Sequence, residues 1–121
     1  MITQVINVNE ILEQTLLFDF YGELLTEHQK EIYGQFISED LSLGELAKEA
    51  GISRQGVYDL VKRCDQTLKT YEEKLHLVEK FVSIRDKVSK IDELLDGYEG
   101  KNMAELVTEI RKISGEIIEE L

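Results

Sequence analysis

The sequence predicts an all-α protein of about six helices, a helix-turn-helix bundle followed by a C-terminal helical hairpin. Three observations carry that reading. Proline is absent from the 121 residues and only 7% are aromatic, so the strongest helix breaker is missing and the aromatic strand formers are few. Apolar residues recur at three- and four-residue intervals, whereas strand-like alternation is hard to find. A capping side chain precedes Glu or Gln by three residues at Thr26/Gln29, Ser42/Glu45 and Asn102/Glu105, the pattern that opens a helix. Hydrophobic residues at 42% exclude wholesale disorder.

Residues 1–8 are mixed and expected to be irregular. Asn9 is placed to cap a first helix carrying Ile11, Leu12, Leu16, Phe20 and Leu24, with Leu17, Phe18 and Tyr21 widening the stripe. So broad an apolar face calls for burial on two sides. Thr26 opens a second helix through Ile32, Tyr33, Phe36 and Ile37. Gly34 inside it costs about 1 kcal/mol relative to alanine unless a neighbouring helix needs the space. A short linker, Ser38-Glu39-Asp40, follows.

The chain is organised around the next stretch, LGELAKEAGISRQGVYDL, from Leu43 to Leu60. Ser42 caps it, and Leu43, Leu46, Ala47 and Ala50 share one face. Ala47 is small where a second helix must cross. Gly51 can take the left-handed conformation that ends a helix sharply, Ile52 plugs the turn, and Ser53 caps the next helix. There Val57, Leu60, Val61, Cys64 and Leu68 face inward, with Arg54, Gln55, Tyr58, Asp59 and Lys62 on the other side. A polar-faced second helix held on a packed first helix is the geometry that enters a DNA major groove. The buried set expected from these patterns includes Leu16, Phe20, Phe36, Leu46, Ala47, Ile52, Val57 and Leu60.

No strong breaker follows Leu68 for almost thirty residues, so the recognition helix either runs on or kinks near Thr70. Asp96-Gly97-Tyr98-Glu99-Gly100 reads as a turn. Met103, Leu106, Val107, Ile110, Ile113, Ile117 and Leu121 stripe a final helix. The expected division is a helix-turn-helix domain over residues 1–70 and a helical region over 71–121. A two-helix hairpin has little interior, so the second region is expected to meet a partner, most simply in a homodimer.

The formal charge of −11 is unevenly spread. Residues 1–40 carry one basic residue against eight acidic ones, residues 41–71 five against four, and residues 72–121 eight against thirteen. Only the helix-turn-helix is not acidic, with Lys48, Arg54, Lys62, Arg63 and Lys69 available for phosphates. Weak, salt-sensitive DNA binding is the expectation, because the acidic flanks repel a duplex.

Enzymatic chemistry finds no support. His28 and His76 stand apart, without cysteines or clustered carboxylates at metal-ligand spacing. The glycines form no phosphate-cradling loop, and carboxylate pairs such as Glu72-Glu73 read as solvated helix faces. No cofactor or metal is expected. The single cysteine, Cys64, lies on an apolar face and suits a reducing, cytoplasmic setting. No apolar run approaches the ~20 residues of a membrane span, so no insertion is expected.

The runs LTEHQKEIY (Leu25–Tyr33) and DLSLGELAKEAGISRQGVYDLVKR (Asp40–Arg63) resemble the YlxM family of small bacterial proteins. Its helix-turn-helix is similar to region 4 of sigma-70-type factors. The likeness is close over residues 16–63; beyond them it is one of length and helical, charged character. The resemblance implies that Ser53, Arg54, Gln55, Tyr58, Lys62 and Arg63 occupy positions facing DNA. It also implies a role in the signal recognition particle pathway, since such proteins are usually encoded beside the GTPase Ffh and its receptor. Gly56 departs from the family's commoner alanine, loosening the recognition helix, and Gly34 from a commoner aromatic residue. Two functions stay open: a DNA-binding regulator, or an accessory protein that binds Ffh or its ribonucleoprotein complex through acidic helices.

Overall fold

Local capping decides where most helices begin, and one long helix decides how they pack. The computed structural model describes residues 8–38 and 41–121. Of the irregular start expected over residues 1–8, residues 1–7 lie outside the described residues, as do linker positions 39–40, and Val8 already belongs to the first helix. Six α-helices and two short 3-10 turns occur among the described residues, which contain no strand. The chain divides into two compact units, Met1–His76 and Leu77–Leu121.

The first unit begins with α1 (Val8–Tyr21), so Asn9 lies within the helix rather than at its cap. A 3-10 turn (Gly22–Leu24) leads to α2 (Glu27–Ser38). The Thr26–Gln29 box is formed in both directions: the Gln29 amide donates to Thr26 Oγ1 at 3.2 Å, and the Thr26 amide to Gln29 Oε1 at 3.1 Å. The third helix, α3 (Leu43–Ala50), has the Ser42–Glu45 capping box and ends at Gly51 with φ 72°. Helix α4 (Arg54–Leu75) runs 22 residues without a break, so of the two readings the recognition helix runs on past Thr70 rather than kinking there. Thr70 Oγ1 instead donates to the Gln66 carbonyl at 2.9 Å. The helix stops at His76, whose φ of 55° is left-handed. The unit boundary thus falls later than the division after Thr70 read from the sequence.

Helix α4 is the element against which α1, α2 and α3 pack. Its inward face is Val57, Val61, Cys64 and Leu68, met by Leu17 and Tyr21 of α1, Ile32 and Tyr33 of α2, and Leu46 and Ala47 of α3. Each large apolar side chain so buried contributes roughly 1.5–3 kcal/mol. The register of α1 corrects the expectation from sequence. Phe20 is 37% exposed, and Leu16 is only half-buried. Gln14, Leu17, Phe18 and Tyr21 turn toward α2 and α4 instead. Phe36, Ile52 and Leu60 are likewise half-buried rather than buried. Gly34 has a packing reason: a Cβ there would stand 3.3 Å from the Phe18 ring, which also lies against Gly22.

The second unit is a helical hairpin of α5 (Leu77–Leu95) and α6 (Met103–Glu120). Gly97, at φ 64°, starts the intervening 3-10 turn Tyr98–Gly100. Asn102 Oδ1 accepts from the amides of Ala104 and Glu105 at 2.9 and 3.2 Å, capping α6 without a return bond from Glu105. Leu106 and Ile113 are buried in the seam, beside half-buried Ile84 and Ile91. At one end Glu120 Oε1 accepts from Ser83 at 2.7 Å and from Lys87 at 2.6 Å. The Lys87 contact, then Ser83, holds the Glu120 carboxyl below its ordinary pKa.

Candidate nucleic-acid interface

The recognition surface is built by holding α4 still. Ser53 Oγ accepts from the Gly56 amide at 2.9 Å and fixes the start of the helix. A Cβ at Gly56 would come within 3.1 Å of that oxygen, so glycine here makes room for the cap. Upstream, Gly51 donates its amide to the Ala47 carbonyl at 2.9 Å and turns the chain from α3 into α4. Val57 and Leu46 are both fully buried and anchor the helix pair from inside.

Farther along α4 a polar clamp ties three helices together. The Asp65 carboxylate accepts from the Gln14 amide of α1 at 3.1 and 3.2 Å, and from the Tyr33 hydroxyl of α2. Burial first, and then the bond to Asp65, pushes the Tyr33 phenol above its ordinary pKa. One turn beyond the core, Tyr21 donates to Glu72 at 2.6 Å and its ring lies 6.0 Å from that of Tyr71. Tyr21 and Tyr33 lie on apolar stripes legible in the sequence, but the polar partners of their hydroxyls carry no signal of their own. Asp65 and Gln14 stand 51 positions apart, and only the packing brings them together.

The residues expected to face DNA are exposed. Ser53, Arg54, Gln55, Tyr58, Lys62 and Arg63 are all on the surface, and so is Lys48 in the last turn of α3. They do not form one uniform basic strip. Lys62 Nζ lies 5.6 Å from the centre of the Tyr58 ring, a cation–π contact between two exposed side chains. Gln55 donates its amide to Asp59 at 3.0 Å, so its side chain is held along the surface of α4. At ~100° per residue Arg63 stands on the opposite flank from Tyr58, with Asp59 and Lys62 between. Arg54, Arg63 and Lys48 make no ion pair among the described residues. The first turn of α4 holds no acidic residue, so the positive end of its dipole is not neutralised there.

Cys64 is fully buried, and burial, with the Asp65 charge, pushes its thiol up to about 11. At neutral pH it is a small apolar packing group. No helix among the described residues is long and apolar enough to cross a membrane.

Comparison with known proteins agrees with this geometry. The family described as "Putative helix-turn-helix protein, YlxM / p13 like" matches residues 8–106. A UPF0122 protein of Thermoanaerobacter sp. is 44% identical over 113 residues, covering 93% of this chain and 94% of the relative. One from Desulforamulus reducens is 42% identical over 112 residues, 93% of this chain and 96% of the relative. One from Acetivibrio thermocellus is 40% identical over 114 residues, 94% of this chain and 97% of the relative. No solved structure gives a significant match. An all-α chain with a capped, glycine-turned α3–α4 pair, matched along nearly its whole length, belongs to the YlxM / p13-like helix-turn-helix family, UPF0122.

Proposed function

We propose that this protein is a DNA-binding regulator of the bacterial cytoplasm that reads a duplex with the exposed face of α4. The observation that supports this most is the mounting of that helix. It is capped by Ser53, set by Gly51 and clamped through Asp65 to α1 and α2. A helix fixed at both its start and its middle loses little freedom on entering a major groove. In this reading Gln55 and Arg54 meet base edges, Tyr58 packs on sugar or base, and Lys48, Lys62 and Arg63 take phosphates. It assigns no catalysis and no cofactor.

A titration of labelled DNA tests it. Arg54→Ala or Gln55→Ala is expected to flatten preference between sequences by about 1–3 kcal/mol. Lys62→Ala is expected to weaken all sequences alike and lower the salt slope by about one. Undiminished, salt-independent binding by the Arg54/Lys62/Arg63 triple alanine variant would exclude DNA as the ligand.

A second reading is favoured by one observation, the acidity outside the helix-turn-helix. Residues 1–40 carry a net −7, and Glu13, Asp19, Glu27 and Glu31 are exposed. In that reading the protein is an accessory of the signal recognition particle pathway, binding Ffh with its RNA through acidic helices. Charge reversal at Glu13, or at Glu105 and Glu109, would then slow association, while Arg54→Ala and Lys62→Ala would leave it untouched.

A further inference from the structure

We propose that one face of the C-terminal hairpin, formed by Val88 and Leu95 of α5 with Met103, Val107 and Ile118 of α6, docks a second copy of this chain. These side chains are 50, 46, 56, 52 and 69% exposed. They are not scattered. On α5 the seam residues Ser83, Ile84, Lys87, Ile91 and Leu94 share one direction, and Val88 and Leu95 lie about 80° farther round. On α6 the seam is Leu106, Ile110, Ile113 and Ile117, and the exposed residues lie about 60–120° farther round in the same rotational sense. In an antiparallel pair the same sense of rotation on both helices leads to the same side. The hairpin therefore carries one continuous apolar face, not two separate edges.

The spacing of that face points to another helical hairpin as its occupant. Taken together, seam and outer-face residues recur in four- and three-residue steps, Leu77, Phe81, Ile84, Val88, Ile91 and Leu95 on α5 and Met103, Val107, Ile110, Ser114, Ile117 and Leu121 on α6. Ser114 is the one polar position, so each helix carries a stripe wide enough for a neighbour on two sides. This is the seam of helices packed about 20° from antiparallel in four-helix bundles. At 18 residues α6 is about 27 Å long. A face two helices wide then projects on the order of 500 Å², and its rougher accessible area approaches the ~800 Å² per partner of a stable interface.

Charge placement selects the copy and its orientation. Ser83 and Lys87 reach Glu120 at one end, and Leu94 lines a groove with Glu105, Leu106 and Glu109 at the other. That register sets Asp92 about level with Arg111. Both are exposed on the outer flanks of the apolar face, and neither has an ion pair among the described residues. A two-fold axis along the helices lays α5 of one copy on α6 of the other, antiparallel and at unchanged height. Asp92 then meets Arg111 of the second copy, twice in each dimer. This interface stands whatever ligand α4 reads.

Sedimentation of the full chain at about 50 μM tests it. The wild type is expected to be a dimer. Val107→Glu with Ile118→Glu should give a monomer of unchanged helicity, because neither side chain supports the hairpin seam. Asp92→Arg and Arg111→Asp should each weaken the dimer by about tenfold. The Asp92→Arg/Arg111→Asp double variant, and an equimolar mixture of the two single variants, should recover it. A monomeric wild type, a dimer indifferent to Val107→Glu/Ile118→Glu, or charge swaps that fail to rescue each other would overturn the proposal.

Discussion

Replacing Tyr33 with phenylalanine removes one oxygen from the centre of the first unit and keeps the ring. That ring is fully buried, 5.6 Å from Phe18 and 6.1 Å from Phe36, so its packing should survive. What disappears is the hydroxyl that donates to Asp65. A hydrogen bond to a charged group contributes about 1.5–3 kcal/mol. Asp65 is half-buried and keeps the Gln14 amide, so water replaces part of the loss. The expected cost is therefore at the low end, about 1.5 kcal/mol. Asp65→Ala should cost about 3 kcal/mol, because it strands a buried hydroxyl and an amide together. Urea unfolding of both single variants and the double variant should give a coupling energy of about 1.5 kcal/mol. The pH dependence has a definite sign. The folded-state phenol is raised above its ordinary 10, first by burial and then by the bond to Asp65. Its contribution is complete below pH ~10 and falls as the unfolded chain, but not the folded one, gives up its proton. The penalty of Tyr33→Phe should accordingly shrink as pH rises from about 10. A penalty under about 0.5 kcal/mol, no coupling, or a pH-independent difference would refute the clamp.

The other expectations rest on separate features. Ala47→Glu puts an unpaired charge at a position only 8% exposed between α3 and α4, and should abolish folding, as read by far-UV circular dichroism. A helical, cooperatively unfolding variant would contradict that packing. Gly51→Ala forces a side chain to φ 72° and should cost about 1–2 kcal/mol in a urea titration, with no steric clash to relieve. Cys64 should react with a thiol reagent about 100-fold more slowly in the native protein than in urea, since the thiolate is scarce and the sulfur covered. Native and unfolded rates within a few-fold would show that α4 opens readily.

The helix-turn-helix was legible because its determinants are local. Ser42 and Glu45 are one turn apart, Gly51 sets its own backbone, and Ser53 bonds three residues on. Such interactions depend on sequence spacing alone, so spacing reveals them. The outward placement of Arg54, Gln55, Tyr58 and Lys62 followed from the same period, because α4 has a single apolar side. Helix α1 is different. It has apolar residues on opposite sides, and its periodicity favours Leu16 and Phe20 as readily as Leu17 and Tyr21. Only the position of α4, reached by Gln14 across to Asp65, decides which side is core. The end of α4 at His76 was also hidden, since neither glycine nor proline marks it and the apolar rhythm continues past it. A left-handed residue that is neither glycine nor asparagine leaves no mark in the spacing, and neither does a carboxylate shared by three helices. Contacts between residues 32 or 51 positions apart have no periodicity to read, because their energy exists only once the chain has folded.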